Sequence, residues 1–139
     1  MEYLKSNIEI FTNHQGLYEI TQAINNEIIK QGINEGLCVL QILHTSASLI
    51  ISENADPTAK RDLELFMNKL VPENQNWHTH TLEGTDDSPS HMKSILTQTN
   101  MTMSIENGAL VLGTWQGVYL FEHRKISQRR HIRLSFLNA

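Results

Sequence analysis

The sequence predicts an α+β domain, with helices on one side of largely antiparallel sheets. Two observations support this class. The predicted elements follow the order β-α-β-β-α-α and then four strands, an arrangement that favours pairing between neighbouring strands. Asn107-Gly108, between two apolar segments, is typical of a two-residue β-hairpin turn. At 139 residues, the chain has the length of a single domain, residues 1–139.

The first third of the chain is predicted to contain two strands and one helix. Residues 3–12 have a strand pattern, and residues 13–16 form a turn. From Leu17, apolar side chains recur at the spacing of a helix that ends at Gly32. The apolar positions of this helix are Leu17, Ile20, Ile24 and Ile28. A strand at 36–44 is apolar at nearly every position, which predicts cover on both faces.

The central part is predicted to contain a strand, a well-marked helix and a long loop. The strand covers residues 46–53. Asp56 is placed to cap the helix, Pro57 suits its first position, and Pro72 ends it. Its apolar stripe consists of Ala59, Leu63, Phe66, Met67 and Leu70. The polar loop at 73–87 has the length of a functional loop.

The last part is predicted to be a short helix followed by strands. Ser88-Pro89 caps the helix, whose apolar residues are Met92, Ile95 and Leu96. Four strands follow, at 101–106, 109–112, 118–123 and 132–137.

Composition excludes several classes of function. The net charge of −4 gives the protein no electrostatic footprint for nucleic acid. No apolar stretch approaches the roughly 18 residues of a membrane span, and no targeting segment opens the chain, so we expect a cytoplasmic protein. The one cysteine, Cys38, lies in an apolar run and is interpreted as a buried hydrophobic residue.

Three of the seven histidines fall at predicted element ends or in the long loop: His44, His80 and His91. Three imidazoles and a water are a common catalytic zinc arrangement. The acids that could orient them are Glu53, Asp56, Asp86 and Asp87. The spacing matches no compact zinc motif, and surface or capping roles are the alternative. Such roles are the interpretation for the other four histidines, which are His14, His78, His123 and His131.

Acidic and basic clusters offer a second kind of site. Asp86 and Asp87 precede a helix N-terminus, where the dipole favours acids and where a phosphate with a shared cation could also bind. Five basic residues near the end have no acid between them: Arg124, Lys125, Arg129, Arg130 and Arg133. They form either a solvated hairpin or a clamp for phosphate or carboxylate. Small residues beside His44, including Ser46 and Ser48, leave room for a substrate.

Four motifs together resemble one family. They are His44-Thr45-Ser46-Ala47-Ser48-Leu49 with Glu53-Asn54-Ala55-Asp56-Pro57, then Leu70-Val71-Pro72-Glu73, then Glu83-Gly84-Thr85-Asp86-Asp87-Ser88-Pro89-Ser90-His91, then Leu112-Gly113-Thr114-Trp115-Gln116-Gly117-Val118. The sequence resembles the YjbQ-like family, also labelled secondary thiamine-phosphate synthase, from about residue 5 onward. The resemblance implies a layered α/β/β domain, a homotrimer, and a weak activity joining a phosphorylated thiazole to a pyrimidine pyrophosphate.

The same resemblance matches His44, His80 and His91 as ligands of one divalent metal, for which zinc is the expectation and nickel or iron the alternatives. We assign catalytic roles to Glu53, Asp56 and Asp87. The substrate-binding residues are predicted to be Ser46, Ser48, Trp115, Gln116, Arg129 and Arg130.

Three functions follow from these features. The first is a metal-assisted transferase acting on a small phosphorylated metabolite. The second is a metal- or metabolite-binding module without a reaction of its own. The third is a metal-dependent hydrolase in which Glu53 activates a bound water.

Overall fold

The computed structural model describes residues 1–139 and contains three helices and eight strands. The strands are β1 (Glu2–Thr12), β2 (Gly16–Glu19), β3 (Gly36–Ile42), β4 (Ala47–Glu53), β5 (Asn100–Glu106), β6 (Ala109–Leu110), β7 (Gln116–Glu122) and β8 (Gln128–Asn138). The helices are α1 (Thr21–Gln31), α2 (Pro57–Leu70) and α3 (Asp87–Leu96).

The strands form two antiparallel sheets. The larger sheet has the order β1-β8-β3-β5-β6, and the smaller sheet has the order β2-β7-β4. The predicted hairpin at Asn107-Gly108 joins β5 to β6, and both residues have positive φ, as such a turn requires. The predicted α+β class is therefore confirmed.

The main hydrophobic core brings α1 together with strands of both sheets. β8 contributes Ile132, Leu134 and Phe136, none of which is accessible to solvent, and α1 contributes Ile24 and Ile28. A smaller cluster lies where α2 packs on the smaller sheet and consists of Leu17, Met67, Val71, Tyr119 and Phe121. The smaller sheet is thus covered on both faces.

Cys38 belongs to the main core, as predicted. Its side chain is inaccessible and has no disulfide partner. Burial raises the pKa of the thiol to about 12, so that the thiol stays protonated at neutral pH. Cys38 therefore packs as a small hydrophobic residue and is not a nucleophile.

The first helix begins later than predicted. Leu17 lies in β2, opposite Phe121 of β7, and α1 starts at Thr21. The physical reason is that Leu17 packs in the smaller cluster while Ile24 packs in the main core. These residues serve two different hydrophobic surfaces, so their regular spacing does not reflect one helix face.

The third strand is covered on one face within this chain, not on both as predicted. Cys38, Leu40 and Ile42 are buried, whereas Leu37 and Val39 are 40% and 36% exposed. An antiparallel sheet needs only one packed face, and the exposed apolar residues are on the other.

The helices α2 and α3 also depart from the predicted apolar stripes. Asp56 caps α2 as predicted, since its Oδ1 accepts a hydrogen bond from the Thr58 N–H at 2.9 Å. However, Phe66 and Leu70 are exposed, and only Met67 of the stripe is buried. In α3, which begins at Asp87, the predicted apolar residues Ile95 and Leu96 are exposed.

The buried face of α3 is polar instead. Its buried residues are Asp87, Pro89, Ser90, Lys93 and Ser94. A helix that buries polar side chains and exposes apolar ones breaks the usual pattern, and such exceptions are expected at functional sites. No helix of the structure has both the length and the apolar character needed to cross a bilayer.

Phe136→Ala should destabilise the domain by about 3–5 kcal/mol because it opens a cavity in a fully packed core. Leu137→Ala is the matched control, since the neighbouring side chain points to the opposite, partly exposed face and should cost less than about 1 kcal/mol. Urea unfolding of the two variants measures the difference. Equal losses would contradict the placement of the core.

Candidate metal centre

Two histidines and one aspartate form a compact group at the start of α3. His80 comes from the loop after α2, Asp87 is the first residue of α3, and His91 follows one turn later. One possible ligand atom from each residue lies within 4.8 Å of the other two. The Oδ2 atom of Asp87 is 2.6 Å from Nε2 of His80 and 3.1 Å from Nε2 of His91. Both imidazoles therefore face one carboxylate oxygen.

The hydrogen bonds of His91 fix which ring nitrogen carries its proton. Nδ1 lies 2.7 Å from the backbone carbonyl oxygen of Thr45. A carbonyl can only accept a hydrogen bond, so Nδ1 must donate its proton there. In the neutral ring, Nε2 then has only a lone pair, and that lone pair faces the Asp87 carboxylate. Two acceptors at this distance require a cation between them, either a second proton on His91 or a metal ion.

This donor set fits a divalent metal. Two imidazoles and one carboxylate are a familiar catalytic set for zinc and for iron, and they leave coordination positions open. Zinc bonds of about 2.0–2.2 Å would place neighbouring ligand atoms about 3.3 Å apart. The 3.1 Å between Asp87 Oδ2 and His91 Nε2 is near this value, whereas the 2.6 Å to His80 Nε2 is shorter and is the distance of a hydrogen bond. The bond from His91 to Thr45 is also the outer contact that a metal-bound histidine usually makes.

The second oxygen of Asp87 is held by Arg124. The Arg124 Nη1 donates to Oδ1 at 2.6 Å, its Nε donates to Asp86 Oδ2 at 3.1 Å, and its Nη2 donates to the Glu83 carbonyl at 2.9 Å. One guanidinium thus fixes the acidic loop and leaves Oδ2 of Asp87 directed at the histidines. The basic run near the end of the sequence contains Arg124 but does not indicate this role.

The charge of Asp87 is stabilised although the side chain is almost completely buried. Burial by itself raises the pKa of this carboxyl, but the hydrogen bond with His80 and the charges of His91 and Arg124 outweigh it, and the net shift is downward. For Asp86, burial is again outweighed, by the Lys125 N–H and by Arg124, and its pKa is also lowered. Both carboxylates are therefore ionised at neutral pH, as metal binding requires.

His44 does not join this group. Its Nε2 accepts a hydrogen bond from the backbone N–H of His131 at 2.8 Å, and the two rings stack with centroids 5.8 Å apart. Burial, followed by the charge of Arg130, lowers the pKa of His44. His44 does line a cavity of about 460 Å³ that also includes His91. In this structure the third donor is Asp87, and the predicted set of three histidines is not assembled.

Glu53 and Asp56, predicted as catalytic, make contacts at the start of α2. Glu53 Oε2 accepts hydrogen bonds from the N–H groups of Ala55 and Asp56, and Asp56 caps the helix. Neither contacts His80, Asp87 or His91. Of the three predicted catalytic acids, the structure brings only Asp87 to the histidines.

The predicted phosphate clamp is already paired with acids. Arg130 is buried, and it donates to the Glu122 carboxylate through Nε at 2.8 Å and through Nη2 at 2.5 Å. Arg129 lies 3.5 Å from Glu9 and stacks over the ring of Phe11. These ion pairs neutralise the two arginine charges that suggested an anion-binding site in the sequence. Phosphate binding by Arg129 and Arg130 stays a prediction.

The remaining predicted substrate residues lie in different places. Ser46 accepts a hydrogen bond from Arg130, and Ser48 is fully buried beside His123. Trp115 is exposed, and Gln116 accepts a hydrogen bond from the Gly113 N–H at 2.7 Å. None of these contacts brings them to His80 or His91. Their role in substrate binding also stays a prediction.

The interpretation of His123 as a surface or capping residue is wrong. The residue is 1% exposed. It follows the buried strand β7, and its hydrogen-bond partner Ser48 lies on the neighbouring strand β4. Sequence spacing does not reveal this pairing because the two residues are 75 positions apart.

The fold and the site together define a small α+β protein with a candidate mononuclear metal centre. Residues 6–139 match the model of the family described as UPF0047 protein YjbQ-like. The chain therefore belongs to the YjbQ-like UPF0047 family, as its motifs indicated.

Relatives with known sequences cover most of the chain. It is 45% identical over 123 residues to the UPF0047 protein sll1880 of Synechocystis, covering 88% of this chain and 84% of that one. It is 40% identical over 125 residues to the UPF0047 protein YjbQ of Escherichia coli O157:H7, covering 89% of each chain.

Solved structures confirm the fold. The conserved hypothetical protein TT1486 of Thermus thermophilus superposes with a TM-score of 0.86 at 32% identity, covering 95% of this chain and 99% of that one. A YbjQ-like protein of unknown function from Sulfolobus solfataricus gives a TM-score of 0.85 at 20% identity, covering 99% of this chain and 100% of that one. Because its identity is only 20%, this second similarity supports the shared fold alone.

Arg124→Lys should loosen the acidic loop, because an ammonium cannot reach Asp86, Asp87 and the Glu83 carbonyl together. We expect a loss of about 2 kcal/mol in unfolding free energy and faster amide exchange at residues 84–90. Arg129→Lys is the control, since that side chain is 63% exposed and its loss should stay within about 0.5 kcal/mol. Unchanged exchange in Arg124→Lys would show that the loop does not depend on this guanidinium.

Proposed function

We propose that this protein is a divalent-metal-dependent enzyme that acts on a small phosphorylated molecule, with His80, Asp87 and His91 as the metal ligands. One observation carries the proposal. Nε2 of His91 faces a carboxylate oxygen while Nδ1 is committed to a carbonyl, so the pair needs either a second proton on His91 or a metal ion, and the proposal is the metal ion. Zinc is the metal that this donor set and the resemblance favour.

In this proposal the residues of the chain have separate roles in metal binding and in substrate binding. His80, Asp87 and His91 hold the metal, and Arg124 keeps the Asp87 carboxylate ionised and oriented. A metal bound there supplies a Lewis acid that stabilises negative charge on a phosphate or pyrophosphate oxygen. Beside His91, the cavity of about 460 Å³ offers space for a substrate. Beside His80, a second cavity of about 240 Å³ has no hydrophobic residue in its lining.

The finer proposal is a transferase of the thiamine-phosphate synthase type. The resemblance of the motifs supports it, and so does the presence of a polar cavity lined by His80 and a less polar cavity lined by His91. A hydrolase that uses Glu53 as its base is less well supported, because the Glu53 carboxylate accepts hydrogen bonds from two backbone N–H groups at the start of α2.

The resemblance also supports a homotrimer, and the exposed side chains of Leu37 and Val39 are available for such an interface.

The ligand set predicts which variants lose the metal. The parent protein should bind about one equivalent of zinc, and His80→Ala, Asp87→Ala and His91→Ala should each bind close to none. His14→Ala is the control, since His14 is exposed on the β1–β2 turn. Metal content by mass spectrometry after dialysis measures the outcome. Loss of metal in His44→Ala, His80→Ala and His91→Ala, with metal kept by Asp87→Ala, would restore the set of three histidines and overturn this one.

Activity tests the enzyme itself. With a thiazole phosphate and a pyrimidine pyrophosphate, the zinc-loaded parent should form the joined product and release pyrophosphate, and chelation should abolish the reaction. His91→Ala should lower the rate at least tenfold because it removes both a ligand and the bond to Thr45. Metal binding without turnover would reject the transferase and leave a metal-binding module.

A further inference from the structure

A separate cavity of about 250 Å³ lies between α2, α3, the end of β7 and the β1–β2 turn. Its walls include Asn68 of α2, Lys93 of α3 and His123 at the end of β7. Lys93 follows His91 by two positions, which turns its side chain about 200° around the helix axis. The cavity is therefore on the other face of α3 from the candidate metal ligands.

Lys93 is a buried lysine that has no acid in hydrogen-bonding contact, and Glu73 acts on it only at longer range. The residue is 4% exposed, and its Nζ donates to the amide oxygen of Asn68 at 2.6 Å. The other basic residue buried to this degree, Arg130, is paired with Glu122. A buried charge that lacks a counter-charge is costly, and Lys93 retains two N–H donors for a ligand.

His123, which lines the same cavity, carries a second unsatisfied polar group. Its Nε2 is hydrogen bonded to Ser48 Oγ at 2.8 Å, whereas Nδ1 is buried and has no hydrogen-bond partner. Burial, followed by the charges of Lys93 and Arg130, lowers the pKa of His123 to about 3, so the ring is neutral. An orphaned buried nitrogen is rare in a folded protein and calls for a partner.

The two acids that line the cavity, Glu64 and Glu122, do not pair with Lys93. Glu122 is occupied by Arg130, by the hydroxyl of Thr12 and by the Arg124 N–H. Glu64 is turned to the backbone of β2, where its Oε2 accepts the Leu17 N–H at 2.8 Å. The charge of Lys93 therefore lacks a direct acidic partner within the chain.

We propose that this cavity binds the phosphate group of a small phosphomonoester, with Lys93 and His123 as its main contacts. A phosphomonoester has a second pKa near 6, so near neutral pH it is mainly a dianion, with a minority of monoanion that keeps a P–OH group. The ammonium pairs with a charged oxygen. Nδ1 of the neutral ring pairs with a charged oxygen or with the hydroxyl, according to its tautomer. The site does not include the metal ligands, so it stands independently of the metal-centre proposal.

The test uses inorganic phosphate and the full chain freed of metal with chelator. Phosphate should shift the side-chain amide resonances of Asn68 and the ring resonances of His123 in a saturable titration. Lys93→Met should bind phosphate roughly tenfold more weakly or worse, since it loses a charged hydrogen-bond donor. Lys69→Met removes an exposed lysine of α2 and should leave the affinity unchanged.

Three outcomes would overturn the proposal: equal phosphate affinity in Lys93→Met and the parent, equal affinity of the parent for acetate, or binding that appears only when metal is added. Lys93→Met should fold, because an apolar group replaces a buried charge without a counter-charge. Should it fail to fold, the parent titration still decides. Phosphate that leaves Asn68 and His123 unshifted would then reject the site.

Discussion

The Asp87 carboxylate is the contact on which the candidate site depends. One oxygen accepts the guanidinium of Arg124, and the other faces the imidazoles of His80 and His91. Its position at the first turn of α3 adds the favourable field of a helix N-terminus. Because the side chain is almost completely buried, these partners must keep it ionised. Asp87 thereby holds together the loop after α2, the helix α3 and the loop that connects β7 to β8.

The inverted pattern of α3 explains how one short helix can serve two sites. Its polar residues face inward, and Ile95 and Leu96 face outward. His91 lies on the side of the candidate metal centre, and Lys93 lies on the side of the cavity against α2. A helix that contributed only hydrophobic packing would bury apolar residues instead. The cost of burying these polar groups points to function on both faces.

The basic residues near the end of the chain illustrate how folding redistributes charge. No acid separates them in sequence, yet the structure gives several of them acidic partners from elsewhere. Arg124 binds Asp86 and Asp87, Lys125 pairs with Glu73, and Arg130 pairs with Glu122. The basic residue that is buried without a directly paired acid is instead Lys93, which lies outside this basic run. The local charge pattern of the sequence therefore identified the arginines but did not identify Lys93.

The sequence by itself determined the α+β class, the hairpin at Asn107-Gly108, the cap at Asp56 and the family, because these depend on local backbone preferences and on contiguous motifs. It also identified His80, His91 and Asp87 as functional candidates. Only the tertiary structure decided that Asp87 and not His44 completes the group, since this depends on where a loop end and a strand end meet. The buried pairing of His123 with Ser48, and of Arg130 with Glu122, was likewise decided by sheet register and packing, which residue spacing does not encode.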